Sequence, residues 1–200
     1  VFGNLMYGMP DIAEGPCIAK TNGQLTFCLI GEYSERKGQD ILYQVIKKNA
    51  DCWRDIAEFY FIGLFPEIKK REYETIDMIH VLGELSPQAV SEFYRQIDVL
   101  VSPSLSDPMP VVVTEAMQHK KVCLVTDRVG QSRYISPMKD GLVCSAGDEK
   151  DLEKKLCWLI NNKEKLEEMG RESFEIYRKH FSMESFENNI TELIELSTLR

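Results

Sequence analysis

At 200 residues, with 44% hydrophobic and 28% charged side chains, the chain suits one soluble domain, or one domain plus an appendage, around one sizeable core. A net charge of −8 argues against the phosphate backbone of nucleic acid as a partner, though a small phosphate ligand needs only a few local donors. No apolar run approaches the roughly 18 residues of a membrane-spanning helix, and the start on Val1, with no basic-then-apolar leader, reads as a fragment of a longer protein.

Residues 1–24 carry Gly3, Gly8, Pro10, Gly15, Pro16 and Gly23 with little periodicity and read as a connector. LTFCLIG (Leu25–Gly31) is a short continuous apolar run closed by glycine, the pattern of a buried parallel strand. Helical spacing follows over Asp40–Asn49, then a second strand-like run over Glu58–Gly63 and a third over Ile79–Gly83. Pro87–Gln96 reads as a helix, Asp98–Ser104 as a fourth strand, and Pro110–Gln118 as a helix with proline in its first turn, where the missing N–H costs nothing. Val122–Asp127 and Gly141–Ser145 read as the fifth and sixth strands. From Lys150 to Leu199 the pattern is only helical, with a break near Phe181–Met183. The six cysteines (Cys17, Cys28, Cys52, Cys123, Cys144 and Cys157) show no C-x-x-C or metal-ligand spacing, so a reduced, cytoplasmic setting is the simpler reading. Cys28 and Cys123 sit in apolar runs, where a thiol acts as a small core residue.

Near-continuous apolar strands alternating with helices indicate an α/β fold, a parallel Rossmann-like sheet with helices on both faces. Ligands of such sheets sit beyond the carboxyl ends of the strands. The loops there are GEYSERKG, GELSP, SPSLSDPMP and TDRVGQ.

In GEYSERKG, Gly31 lets the backbone approach a ligand, while Arg36 and Lys37 stand where they could neutralise a diphosphate together with the next helix's N-terminus. Taken alone, both read more readily as solvated charges ahead of a helix. The glycine spacing matches neither a P-loop nor G-x-G-x-x-G. In SPSLSDPMPVVVTEAM, Asp107 lies just before a helix start, where backbone N–H groups are free to meet an anion. Glu115 sits within a mostly apolar helix, where a carboxylate costs free energy unless it is paired or hydrogen-bonded, and a sugar diol is one such partner. A capping role for Asp107 and a place on an exposed stripe for Glu115 are the plain alternatives. His119, at a helix end, reads as a solvated residue in preference to a catalytic base. Trp53 and Trp158 read as packing residues, and EKLEEMGRE as a solvated helix face.

Four blocks, in order and spacing, carry a family resemblance: GEYSERKGQDIL, VLGELSPQAVSEFYRQIDVLVSPS, SDPMPVVVTEAM and VGQSRYISPMKDGLVCSAGDEKDLEKKL. From Gly31 to Gly170 the chain resembles the carboxyl-terminal domain of retaining glycosyltransferases of family 4, the group 1 type, which is one half of a GT-B two-domain fold. LMYGMPD (Leu5–Asp11) is similar to the segment joining the two halves. The resemblance implies residues 1–24 as connector, 25–180 as a nucleotide-sugar-binding domain, and 181–200 as a helix reaching toward an absent N-terminal domain, with an apolar patch left exposed.

Position by position, the resemblance implies that Lys37 contacts the donor diphosphate and that the E-x7-E motif falls on Asp107 and Glu115. Glu115 then meets the ribose hydroxyls and Asp107 lies near the donor sugar, which makes Asp107 and Lys37 the catalytic pair. Backbone N–H groups around Met109, Val111 and Val112 meet phosphate or sugar, Leu82, Gly83 and Glu84 meet the base, and Gly31, Arg36 and Gly130 complete the donor site. The implied chemistry is sugar transfer from a nucleoside-diphosphate sugar with retention, without an obligatory metal or other cofactor. Implied partners are the donor and a glycan or lipid-linked acceptor held by the missing half. The implied location is cytoplasmic, with the full-length protein peripheral to the inner face of a membrane.

The chain departs from the family pattern in five places. Glu32 stands where arginine is usual, Asp107 replaces glutamate, QHKK (Gln118–Lys121) lacks a glycine, Val129–Gly130 replaces a double glycine, and Arg133 stands where glutamate is common. These departures motivate a second reading, a non-catalytic glycosyltransferase-like partner or scaffold. A third, a nucleotide-sugar epimerase of like architecture, is disfavoured by the complete SPSLSDPMPVVVTEAM block.

Overall fold

The computed structural model describes residues 8–9 and 23–198. Six strands, β1 (Leu25–Ile30), β2 (Ala57–Ile62), β3 (Ile79–Gly83), β4 (Val99–Ser102), β5 (Val122–Thr126) and β6 (Gly141–Cys144), form one sheet in the order β3-β2-β1-β4-β5-β6. Every pairing in it is parallel. Successive side chains of a strand point to opposite faces, so a parallel sheet covered on both sides needs apolar residues at every position. Val99 and Val101 accordingly enter one core while Leu100 enters the other, and Leu124 and Cys123 divide in the same way. Cys28 and Cys123 are both buried in the second core.

The first core is closed by α1 (Gln39–Trp53), α2 (Glu67–Tyr73) and α5 (Glu149–Asn161), through residues such as Leu42, Ile46, Tyr73 and Leu156. On the other face, α3 (Pro87–Gln96), α4 (Val111–Gln118) and α6 (Leu166–His180) close the second through Tyr94, Val113, Met117 and Tyr177. The last helix, α7 (Met183–Thr198), follows a break at Phe181–Ser182, where the sequence placed one near Phe181–Met183. Its Met183 and Ile194 are exposed. No described helix is long and apolar enough to cross a membrane.

Two elements differ from the sequence-based expectation. The short helix α2 occupies a stretch where no element was expected: of its residues only Tyr73 is buried, so EIKKREY carries no apolar period to read. Pro110 precedes α4 as its N-cap and is not in the first turn. The segment read as a connector lies outside the described residues except Gly8, Met9, Gly23 and Gln24. The Met9 amide donates to the Phe181 carbonyl at 3.1 Å, against the junction of α6 and α7.

The strand order reverses between β1 and β4, which are adjacent although two strands and their helices separate them in sequence. Connections leave such neighbours toward opposite faces and open a crevice beyond their carboxyl ends.

Candidate functional site

The loop after β1 is held down from three sides. The Gly31 amide donates to the Ile62 carbonyl at 2.8 Å, and a Cβ on Gly63 would stand 2.4 Å from the Gly31 carbonyl oxygen, so the two chains approach as only glycine permits. Inside the loop the fully buried Gln39 donates to the Glu32 carbonyl at 2.9 Å and accepts from the Ser34 amide at 3.3 Å. After a short 3-10 turn over Glu35–Lys37, Gly38 takes φ +72° at the start of α1. The Lys37 side chain then passes back across Gly31, its Cε 3.7 Å from where a Gly31 Cβ would stand.

Across the crevice, the loop after β4 meets this one directly. The Leu105 amide donates to the Arg36 carbonyl at 2.8 Å, and the Arg36 guanidinium donates to the Ser106 carbonyl at 2.6 Å. Asp107, only 7% exposed, is fixed by its backbone: its amide donates to the Arg128 carbonyl at 3.1 Å and its carbonyl accepts from the Gly130 amide at 3.0 Å. Its carboxylate accepts from Lys37 Nζ at 2.7 Å and lies 3.4 Å from Arg36 Nη1. Because the Arg36 side chain is 52% exposed, solvent screens its share, and Lys37 is the principal partner of the buried carboxylate. The β1 and β4 loops thus bring together the two residues expected as catalytic, with Arg36 beside them.

Past Asp107 the chain enters α4, whose first two helical residues, Val111 and Val112, have amides with no carbonyl four residues back within the helix. Gln131, from the loop after β5, braces this turn by donating to the Pro110 carbonyl at 2.8 Å and to Thr114 Oγ1 at 3.1 Å. One turn further on, half-buried Glu115 accepts from the Tyr94 hydroxyl at 2.9 Å through Oε2. Tyr94 was not singled out in the sequence, since an aromatic at helical spacing reads as core. The available signal was the carboxylate itself, which demands a donor in an apolar helix.

Gly130 and Met109 adjoin Asp107, while the residues expected to meet the base stand apart from this cluster. Leu82 and Gly83 end β3 and Glu84 follows it, at the same carboxyl edge of the sheet but across β2 from Lys37. Leu82 is 41% exposed, and Gly83, at φ +71°, has open space where a Cβ would be. Met109 is half-buried against Gly130. Of the departures from the family pattern, Glu32 is exposed and Arg133 caps its own turn by donating to the Gly130 carbonyl at 3.0 Å. No cluster of three His, Cys, Asp or Glu is placed to hold a metal ion among the described residues.

His119 is not the solvated residue the sequence suggested. It lies half-buried at the end of α4, stacked on Tyr94 with ring centroids 4.9 Å apart. Its Nδ1 donates to the Glu115 carbonyl at 2.8 Å, which can only accept, leaving Nε2 to accept from Ser91 Oγ at 3.2 Å. Burial holds its pKa below the ordinary histidine value, against the opposing pull of the Glu115 carbonyl and helped by the charges of Arg95 and Lys121. Burial lowers His180 likewise. The folded state therefore binds fewer protons than the unfolded one, and this stabilisation, complete above the ordinary value of about 6.5, is lost as pH falls through the folded pKa. Melting curves are expected to show a midpoint that drops between about pH 7 and pH 5, with a shallower drop in His119→Gln; equal slopes would contradict this account.

Comparison with known proteins adds to the geometry. A family model described as glycosyl transferases group 1 matches residues 17–175. An uncharacterised glycosyltransferase of Methanocaldococcus jannaschii is 31% identical over 173 residues, covering 84% of this chain and 47% of the relative. The N,N'-diacetylbacillosaminyl-diphospho-undecaprenol alpha-1,3-N-acetylgalactosaminyltransferase of Campylobacter jejuni is 30% identical over 118 residues, 58% of this chain and 31% of the relative. The chain thus spans half or less of the length of these two relatives. Among solved structures, Anabaena HepE in complex with UDP and glucose superposes with a TM-score of 0.73 at 16% identity, covering 86% of this chain and 48% of that one, a likeness of fold.

Proposed function

The chain belongs to the glycosyl transferases group 1 family, and from that premise we propose that it is the donor-binding domain of a retaining glycosyltransferase. The domain takes a nucleoside-diphosphate sugar, and the longer protein passes the sugar to a glycan or lipid-linked acceptor held by an N-terminal domain. The carrying observation is the convergence of Lys37, Arg36, Asp107 and the start of α4 at the β1/β4 crevice. The HepE structure holds UDP and glucose within the same fold, which supports the nucleotide reading.

In this reading Lys37 and the amides of Val111 and Val112 face the diphosphate, and Arg36 supplies the charge that Glu32 does not. Gly31 admits the phosphates beside the β1 loop, while Gly130 and Met109 support the opposite wall. Leu82, Gly83 and Glu84 receive the base and Glu115 the ribose diol. As the bond from the anomeric carbon to the diphosphate oxygen breaks, its electron pair stays on the diphosphate, where fixed cations and helix N–H groups stabilise it with no obligatory metal. Asp107, beside the donor sugar, stabilises positive charge growing at the anomeric carbon and holds Lys37 in register. α7, with Met183 and Ile194 exposed, packs toward the N-terminal domain. The protein works in the cytoplasm, and any contact with the inner face of a membrane runs through that other half.

The test is thermal stability of the chain against a panel of nucleoside diphosphates and their sugars, with Lys37→Ala and Glu115→Ala alongside. A ligand at about 100 times its Kd adds roughly 2.7 kcal/mol. One base is expected to raise the midpoint, with the shift lost in both variants. No shift at millimolar nucleotide would favour a non-catalytic partner subunit instead, the reading that the exposed Glu32 carboxylate in the β1 loop supports.

A further inference from the structure

Building on the proposed role of Glu115 toward ribose, we infer that Tyr94 is a positioning residue that sets the preference for ribonucleotides over deoxyribonucleotides. Tyr94 is 1% exposed, so it cannot itself touch a ligand in the crevice. Its hydroxyl lies 2.9 Å from Glu115 Oε2 and 3.1 Å from the Val112 carbonyl oxygen. Both oxygens only accept, and the single phenolic proton goes to the carboxylate, the stronger acceptor. Burial and the neighbouring Glu115 charge push the phenol's pKa up, so it remains a donor throughout the working pH range.

This bond removes a specific freedom. The terminal torsion of a glutamate is broad and nearly two-fold, so a carboxylate held only at its Cγ rotates and spreads its lone pairs over many directions. With Oε2 pinned by Tyr94, the plane of the group is fixed, and Oε1, which has no hydrogen-bond partner among the described residues, is left for a ligand. The pin is itself rigid. The Tyr94 ring stacks on His119, which is tied to the Glu115 carbonyl and to Ser91 on the same helix as Tyr94. A diol presents two hydroxyls at a set spacing, and only a carboxylate of fixed plane meets both without further ordering. A nucleotide lacking one hydroxyl gains nothing from that plane, so the effect of Tyr94 falls on the ribo form alone.

The experiment titrates the full chain with the ribonucleoside diphosphate that stabilises it most and with its 2′-deoxy and 3′-deoxy forms, by calorimetry, in wild type, Tyr94→Phe and Glu115→Ala. Wild type is expected to prefer the ribo form by about tenfold or more. Tyr94→Phe is expected to lose most of that ratio through weaker ribo binding, with deoxy affinity unchanged, the latter showing that the variant is folded. Glu115→Ala is expected to lose the ratio altogether. If Tyr94→Phe proves unfolded, Glu115→Asp, which draws the carboxylate back from the phenol without disturbing the buried ring, is expected to give the same loss. A wild-type ratio in Tyr94→Phe, or an equal fall for all three nucleotides, overturns the inference alone. Nucleotide binding without any ribo preference in wild type overturns the role of Glu115 and this inference with it, while the donor site stands. No nucleotide binding at all overturns the donor reading.

Discussion

Replacing Gly130 by alanine is expected to lower the thermal midpoint by roughly 6–12 °C and to weaken nucleotide binding at the same time. A Cβ at this position would stand 1.6 Å from the Pro108 carbonyl oxygen and 3.1 Å from Met109 Cε. The obstruction is backbone, so no side-chain rotation relieves it. The loop after β5 and the loop carrying Asp107 must separate, breaking the Gly130 amide to Asp107 carbonyl bond of 3.0 Å that joins them. A forced separation of this kind costs about 3 kcal/mol, and in a domain of this size each kcal/mol shifts the midpoint by roughly 2–4 °C. Gly83→Ala is the contrast. It meets nothing within 4 Å and carries only the penalty of a left-handed φ of +71°, about 1 kcal/mol. Calorimetric melting of the two variants side by side decides the matter. Equal, small shifts would mean that the contact at Gly130 does not hold the Asp107 loop in place.

The second large effect separates Lys37 from Asp107. Lys37→Ala is expected to weaken nucleoside diphosphate binding by roughly 10- to 100-fold, the loss of one charge-assisted hydrogen bond to phosphate. Asp107→Asn is expected to do the opposite, strengthening diphosphate binding by about threefold or more. It releases Lys37 from a carboxylate 2.7 Å away and removes a like charge from beside the phosphates. Sugar transfer by the full-length protein is nevertheless expected to fall by about 100-fold in Asp107→Asn, because the role proposed for the carboxylate is toward charge that develops only at the reacting carbon. Titration with nucleoside diphosphate and steady-state kinetics read the two quantities separately. Parallel losses of binding in both variants would reduce Asp107 to a support for the lysine.

The sheet was legible because its strands are buried on both faces, which makes each a continuous apolar run ending near a glycine or a polar turn. LTFCLIG and VCLVTD need no partner to be recognised. α2 was not legible, since its position at the sheet's edge leaves six of its seven residues without a buried face. Lys37, Asp107 and Glu115 stand out in the sequence through spacing and family likeness. That Lys37 and Asp107 touch across 70 residues of chain follows from the reversal of strand order, which no local pattern encodes. Gln131 and Tyr94 were invisible for a related reason. Each is a buried polar residue whose meaning lies in the carbonyl or carboxylate it meets, and those partners belong to other segments.

The position of β1 and β4 in the middle of the sheet also bears on the thermodynamics of ligand capture. Lys37 and Asp107 follow β1 and β4, the two central strands of the sheet, while Leu82–Glu84 lie at the end of β3, an edge strand paired only with β2. Edge elements open more readily than central ones, so local fluctuation is unevenly shared between the two ends of the crevice. In the proposed donor site the charged end would meet the nucleotide already ordered and at little cost in entropy, and what ordering cost remains would fall at the end nearest β3.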